Sequence, residues 1–167
     1  MPFAAFSGIV EAQKGEMGMS AVRKADPGDA CRLAEIEVFN YRLNFYPLFR
    51  TDRYFFSEMN VPVLMQEYRD MPERIEHTFV FDDGVVKGFI RVNGEEIEKL
   101  FVEPAFQGQG IGGALLEHAI QHTEAKWLLV LEKNEGARRL YERYGFRMTE
   151  IRQRVDDTAE FLVRMER

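Results

Sequence analysis

Cysteine occurs once in this chain, which rules out an internal disulfide and any multi-cysteine metal framework. That residue, Cys31, opens a helical pattern after Asp26-Pro27-Gly28-Asp29-Ala30 and reads as a small buried side chain rather than a nucleophile. Histidine is scarce too. His77, His118 and His122 have no acidic or cysteine partners at ligand spacing, and the His118/His122 pair lacks a His-Glu-x-x-His pattern, so no metal is expected. No apolar run reaches the roughly 20 residues that cross a bilayer, so no membrane partner is expected. Positive charge is also in deficit. The 22 Lys and Arg against 28 Asp and Glu leave a net charge of −6, which argues against an electrostatic nucleic-acid binder and favours a cationic or amine partner.

With 167 residues, 46% of them hydrophobic, the chain can bury one core. We read residues 1–19 as an N-terminal extension and 20–167 as the domain. The extension is mildly apolar from Met1 to Val10, lacks a basic leader and ends in Lys14-Gly15-Glu16-Met17-Gly18. It does not resemble a secretory signal, and a cytoplasmic location is expected.

The densest information lies in Gln107-Gly108-Gln109-Gly110-Ile111-Gly112. Before it, Ile97 to Val102 alternates polar and apolar like a strand and stops at Pro104. After it, Ile111, Ala114, Leu115 and His118 fall at helical spacing, giving an amphipathic helix to about Thr123. The glycines therefore sit at a helix N-terminus, where free N–H groups and the helix dipole favour a phosphate and small residues let it approach. Gly108, Gly110 and Gly113 also satisfy G-x-G-x-x-G, with Glu132 near the ribose-binding position, which keeps a nicotinamide-dinucleotide enzyme open as an alternative. Against it, Glu103 to Gln107 intervene between strand and loop, and the motif does not open the domain.

Downstream, Trp127-Leu128-Leu129-Val130-Leu131 reads as a buried strand leading to Asn134. Ala137, Leu140, Tyr141 and Tyr144 then repeat at helical spacing until Gly145. VEPAFQGQGIGGALL and NEGARRLYERYGF resemble the pyrophosphate loop and the asparagine-to-tyrosine segment of the GNAT superfamily of N-acetyltransferases. The two motifs and the intervening strand span Val102 to Phe146, and the order of elements extends a weaker match from Ala21 to Glu166.

The resemblance implies an α/β (α+β) fold. Its mixed, mostly antiparallel sheet of six to seven strands is flanked by helices and carries one splayed parallel strand pair. It implies acetyl-CoA as co-substrate in that splay and a primary-amine acceptor, small molecule or peptide, attacking the thioester directly in a ternary complex. Gln107, Gly108, Gln109, Gly110, Ile111 and Gly112 would hold the pyrophosphate. The backbone of Phe101 and Val102 would face the pantetheine and acetyl group, and Asn134 would touch the cofactor arm. Arg138, placed nearest Asn134 on the next helix, would meet a CoA phosphate, or belong to a solvated cationic face with Arg139 and Arg143. Tyr141 would be the general acid for the leaving thiolate, a role that suits a donor of pKa about 10, or else a core aromatic.

The attacking amine must lose a proton. Glu96 and Glu98 lie two apart on one strand and, by simple alternation, share a face with Leu100 and Val102; as neighbours they raise each other's pKa. They are the candidate bases, or else solvent-facing charges. A non-catalytic CoA sensor would keep the glycine loop without needing Tyr141 or a base, and a homodimer is left open.

The expected element order is β-α-α-β-β-β-α-β-α-β-β, with the second helix including Phe55 to Tyr68 and a hairpin turning at Asp82-Asp83-Gly84. By comparison with the family, the aromatics from Phe39 to Phe56 wall the acceptor side, most of them as core packing and one or two as pocket lining.

Overall fold

The computed structural model describes residues 21–156 and 158–167; the expected N-terminal extension lies outside them. Among the described residues, seven strands form one sheet in the order β1-β2-β3-β4-β5-β7-β6. They are β1 (Val22–Lys24), β2 (Thr78–Asp82), β3 (Val86–Asn93), β4 (Glu96–Val102), β5 (Trp127–Leu131), β6 (Arg147–Arg154) and β7 (Phe161–Glu166). Every neighbouring pair is antiparallel except β4 and β5. The helices are α1 (Ala30–Asn44), α2 (Tyr46–Phe49), α3 (Val61–Asp70), α4 (Glu73–Glu76), α5 (Ile111–His122) and α6 (Glu135–Arg143).

Helices cover both faces of the sheet. On one, Ile111, Leu115, Leu116 and Ala119 of α5 pack on Ile90, Val92, Ile97 and Leu128. On the other, Leu33, Ile36 and Val38 of α1, with Leu64 and Tyr68 of α3, pack on Val80 and Phe89. A charged network runs through this second layer. Arg91 donates to Thr78 Oγ1 at 3.2 Å and to the Tyr68 hydroxyl at 2.7 Å; that hydroxyl donates to Glu37 at 3.0 Å, and Glu37 also pairs with Lys99. Arg91, Tyr68 and Glu37 are all buried, so each charge and hydroxyl needs the others to avoid an uncompensated desolvation penalty.

The helix expected over Phe55 to Tyr68 is two pieces. A π-helical turn at Tyr54–Glu58 ends at the extended residues Met59 and Asn60, and α3 restarts with the Asn60 side chain accepting from the Val63 amide at 3.1 Å. Pro62 stands in the first turn of α3, where its missing N–H costs nothing. The Asp82-Asp83-Gly84 turn forms as expected, with Gly84 at φ 115°.

One irregularity in β4 governs everything beside it. Arg91 of β3 faces Lys99, but its neighbour Val92 faces Ile97, so Glu98 is the extra residue of a β-bulge. Upstream of it Ile97 belongs to the α5 side of the sheet; downstream Leu100 and Val102 do, while Phe101 packs toward α1. Simple alternation therefore fails at Glu98, and the two glutamates do not share a face with Leu100 and Val102.

Candidate active site

β4 and β5 pair only at Glu96↔Trp127 and Ile97↔Leu128, whereas β4 stays paired to β3 as far as Val102 and β5 to β7 as far as Leu131. Each strand is thus held by its outer neighbour while the two diverge, opening a wedge in the sheet. The Glu103 amide bonds the Lys87 carbonyl at 2.8 Å, which sets the parity of the β3–β4 ladder. By that parity the backbone groups of Leu100 and Val102 point into the wedge and those of Phe101 point at β3. The expectation for Phe101 is corrected accordingly: its backbone belongs to the ladder and its side chain contributes to the wall, edge-on to Tyr41 at 5.6 Å and to Phe89 at 5.8 Å. The Val102 carbonyl is not left open. It accepts from Asn40 Nδ2 at 3.0 Å and from Gln107 Nε2 at 3.2 Å.

Past β4 the chain turns through Pro104–Phe106 and reaches the glycine loop. Gly108 and Gly110 adopt φ of 77° and 84°, a region that a side chain would strain. Gly110 is also the N-cap of α5 and supplies no side-chain bond, so the first helical amides have no partner among the described residues. Gly112 and Gly113 answer a different need, close packing against α6. A Cβ at Gly112 would stand 3.4 Å from Leu140 Cδ2, and one at Gly113 would stand 2.5 Å from the Tyr144 hydroxyl. The N-terminus of α5 and the far end of α6 therefore touch, and the unpartnered amides face the space between them.

That space is a cleft of about 910 Å³. It brings together Val102, Gln107, Gly108, Gly110, Ile111, Gly112, Asn134 and Tyr141. Asn134 caps α6, its side-chain oxygen accepting from the Ala137 amide at 3.1 Å, which fixes the side chain at the cleft edge. Tyr141 is buried, edge-on to Phe146 at 6.0 Å, and its hydroxyl has no hydrogen-bond partner among the described residues. Burial raises the pKa of the phenol above its ordinary value near 10, so it stays a proton donor.

Other expected residues lie elsewhere. Gln109 is exposed and outside the cleft lining. Arg138 points to β6, its Nη1 3.3 Å from Met148 Sδ, because its position on α6 is turned away from the face that carries Ala137, Leu140 and Tyr144; Arg143 lines the cleft instead. Glu98 accepts from Asn93 Nδ2 at 3.0 Å and lines a separate polar pocket of about 320 Å³ with Glu73, Arg74, His77, Arg91 and Lys99. Glu96 lies at the closed end of the wedge, where partial burial and then the Glu98 charge raise its pKa. Among the described residues neither a carboxylate nor a histidine lines the cleft. Of the aromatics from Phe39 to Phe56, Phe45 lines the cleft and Phe55 is buried, but Phe39, Tyr54 and Phe56 are exposed rather than core; Cys31 is exposed as well.

Asn40 and Asn44 also line the cleft and were not anticipated. A buried polar residue on the apolar stripe of α1 was the available signal: Asn40 is 2% exposed on the same helix as Leu33 and Ile36. Tyr144, counted only as part of a helical stripe, is a cleft residue too.

Residues 74–148 match the family model described as an acetyltransferase (GNAT) domain. The peptidyl-lysine N-acetyltransferase YjaB of Salmonella typhimurium strain LT2 is 37% identical over 90 residues, which cover 54% of this chain and 61% of that protein. The matched segment covers about half, 49%, of the Escherichia coli K12 protein of the same name. The solution structure of apo-form YjaB from Escherichia coli overlays with a TM-score of 0.61 and 25% identity, covering 87% of this chain and 95% of that one. The PaiA N-acetyltransferase of Thermoplasma acidophilum, solved in complex with coenzyme A, gives 0.63 at 18% identity over 87% and 98%. A wedge between parallel strands, a glycine loop at a helix N-terminus and these likenesses agree: over residues 74–148 the chain is similar to the GNAT acetyltransferases. No helix among the described residues is long and apolar enough to cross a membrane.

Proposed function

We propose that this chain moves an acetyl group from acetyl-CoA to a primary amine by direct attack in a ternary complex. One observation carries the reading: the opening between β4 and β5 runs from the unpartnered amides of the glycine loop, past the wedge-facing amides of Leu100 and Val102, to the Tyr141 phenol. The amides of Gly108, Gly110, Ile111 and Gly112 hold the pyrophosphate. Leu100 and Val102 offer amide donors to the carbonyl oxygens of the pantetheine arm and of the thioester, where negative charge develops during attack. Asn134, fixed by its capping bond, borders the arm. Tyr141, held protonated by burial, delivers a proton to the departing thiolate.

The acceptor side is the wall made by Asn40, Asn44 and Phe45 at the end of α1. With no carboxylate or histidine in the cleft lining, the amine arrives neutral or gives its proton to water, and Glu96 and Glu98 serve at most through solvent. The peptidyl-lysine activity named for the YjaB relative makes a lysine side chain in a peptide the first acceptor to try.

The test is a thermal-shift series with acetyl-CoA, CoA, NAD and NADP, followed by thiol release with lysine peptides and small amines. Stabilisation by acetyl-CoA, with thiol release that depends on the amine, is expected. Stabilisation by NAD alone overturns the cofactor assignment; acetyl-CoA binding without turnover of any amine supports a sensor instead.

A further inference from the structure

Beyond the cleft, a second recess of about 710 Å³ is lined by Gly136, Arg139, Glu142, Arg143 and Arg147. Gly136 and Arg143 line both spaces, so the recess continues the cleft. The Gly113–Tyr144 contact sets this end of α6 against the first turn of α5, which places the recess beside the amides that receive a diphosphate. Its walls carry three guanidinium groups against one carboxylate in a chain whose net charge is −6. Such a local excess of cations, in an acidic protein, calls for an anion.

The arginines are not used up within the protein. Arg143 has no ion pair or hydrogen bond among the described residues. Arg147 spends only Nη1, on the carbonyls of Glu142 at 3.1 Å and Phe146 at 3.0 Å, which orients the group and leaves Nε and Nη2 free. Arg139 makes one exposed pair with Glu135 at 3.1 Å, a contact of small worth that an incoming phosphate can replace. Guanidinium groups match phosphate oxygens two at a time, and a terminal phosphate monoester carries more charge than a diester to attract them.

Resting on the cofactor reading above, we propose that this recess binds the phosphate monoester on the ribose of CoA, its 3′-phosphate, and that the chain thereby selects CoA over 3′-dephospho-CoA. Calorimetric titration of the full chain with the two nucleotides tests this without any acceptor. Wild type binds CoA about tenfold or more tightly than 3′-dephospho-CoA, as expected for charge-assisted hydrogen bonds, and the ratio narrows as salt rises. Arg143→Ala and, separately, Arg147→Ala bring the ratio toward one, and Arg147→Ala, at a residue outside the cleft lining, leaves the dephospho-CoA affinity unchanged; circular dichroism checks that each variant is folded. Equal affinities in wild type overturn the proposal, as does a ratio unmoved in both variants, which would reduce Arg143 to a cation at a helix C-terminus. Failure of both nucleotides to bind overturns the cofactor reading itself, a separate result.

Discussion

The side-chain amide of Asn40, buried in α1, donates to the carbonyl of Val102, the last residue of β4, at 3.0 Å, and to the Ile36 carbonyl of its own helix at 2.9 Å. One side chain thus ties the acceptor-side helix to the strand end at the point where the sheet opens. Gln107, the first residue of the glycine loop, donates to the same Val102 carbonyl at 3.2 Å. Strand end, helix and loop therefore meet at a single oxygen.

Asn40→Leu should lower unfolding free energy by about 1–3 kcal/mol, the usual worth of the two hydrogen bonds its amide donates, measured by urea denaturation. Gln107→Ala alone should cost less, because Asn40 still holds the oxygen. The double variant should lose more than the sum of the two single losses, since only then is the carbonyl bare. Strict additivity would show that the two bonds do not share that acceptor in solution.

Gly113→Ala and Gly110→Ala should fail for different reasons. At Gly113 the Tyr144 hydroxyl is the atom in the way and the next nearest is 3.4 Å off, so adding Tyr144→Phe should restore most of the lost acetyl-CoA affinity. At Gly110 nothing lies within 4 Å and the cost is the positive φ, about 1–2 kcal/mol, which no partner substitution relieves. Rescue of Gly110→Ala by Tyr144→Phe, or none for Gly113→Ala, would contradict this division.

Tyr141→Phe should lower kcat by about 10²-fold, the common effect of removing a general acid, with acetyl-CoA affinity and Tm nearly unchanged because the hydroxyl has no hydrogen-bond partner among the described residues. Since burial raises the phenol's pKa, wild-type activity should not fall through pH 10: the donor form is present below the raised pKa and is lost only above it. A decline centred near pH 10 that disappears in Tyr141→Phe would show an unshifted phenol.

The acidic limb of kcat/KM should follow the acceptor amine. Changing from a lysine peptide to an amine of lower pKa should move the limb down, and the Glu96→Gln/Glu98→Gln double variant should keep it. Disappearance of the limb in that variant would restore the carboxylates as bases.

Much of this site could be read from residue order alone, because its parts are local. Trp127–Leu131 is a continuous apolar run and became β5 unchanged; Gly145, with φ 91°, ends α6 where a left-handed residue was expected. What escaped was set by register and by contact. Alternation put Glu96 and Glu98 beside Leu100, and nothing in Ile97-Glu98-Lys99 announces the extra residue that reverses the faces. Asn134, expected from its motif, lines the cleft, whereas Arg138, expected from proximity, turns away toward Met148, since a helix separates neighbours by direction rather than distance. Asn40 depends on a partner 62 positions later in the chain, which no short window contains.

The bulge at Glu98 also makes a claim about deletion. Because the strand changes sides at that residue, any side chain suited to an exposed, polar edge will serve there, but removing the position cannot be absorbed. Without it, either Ile97 leaves the hydrophobic layer beneath α5 or Leu100 and Val102 do, together with the backbone groups they present to the wedge. What the site needs from residue 98 is that it be counted, whatever its chemistry.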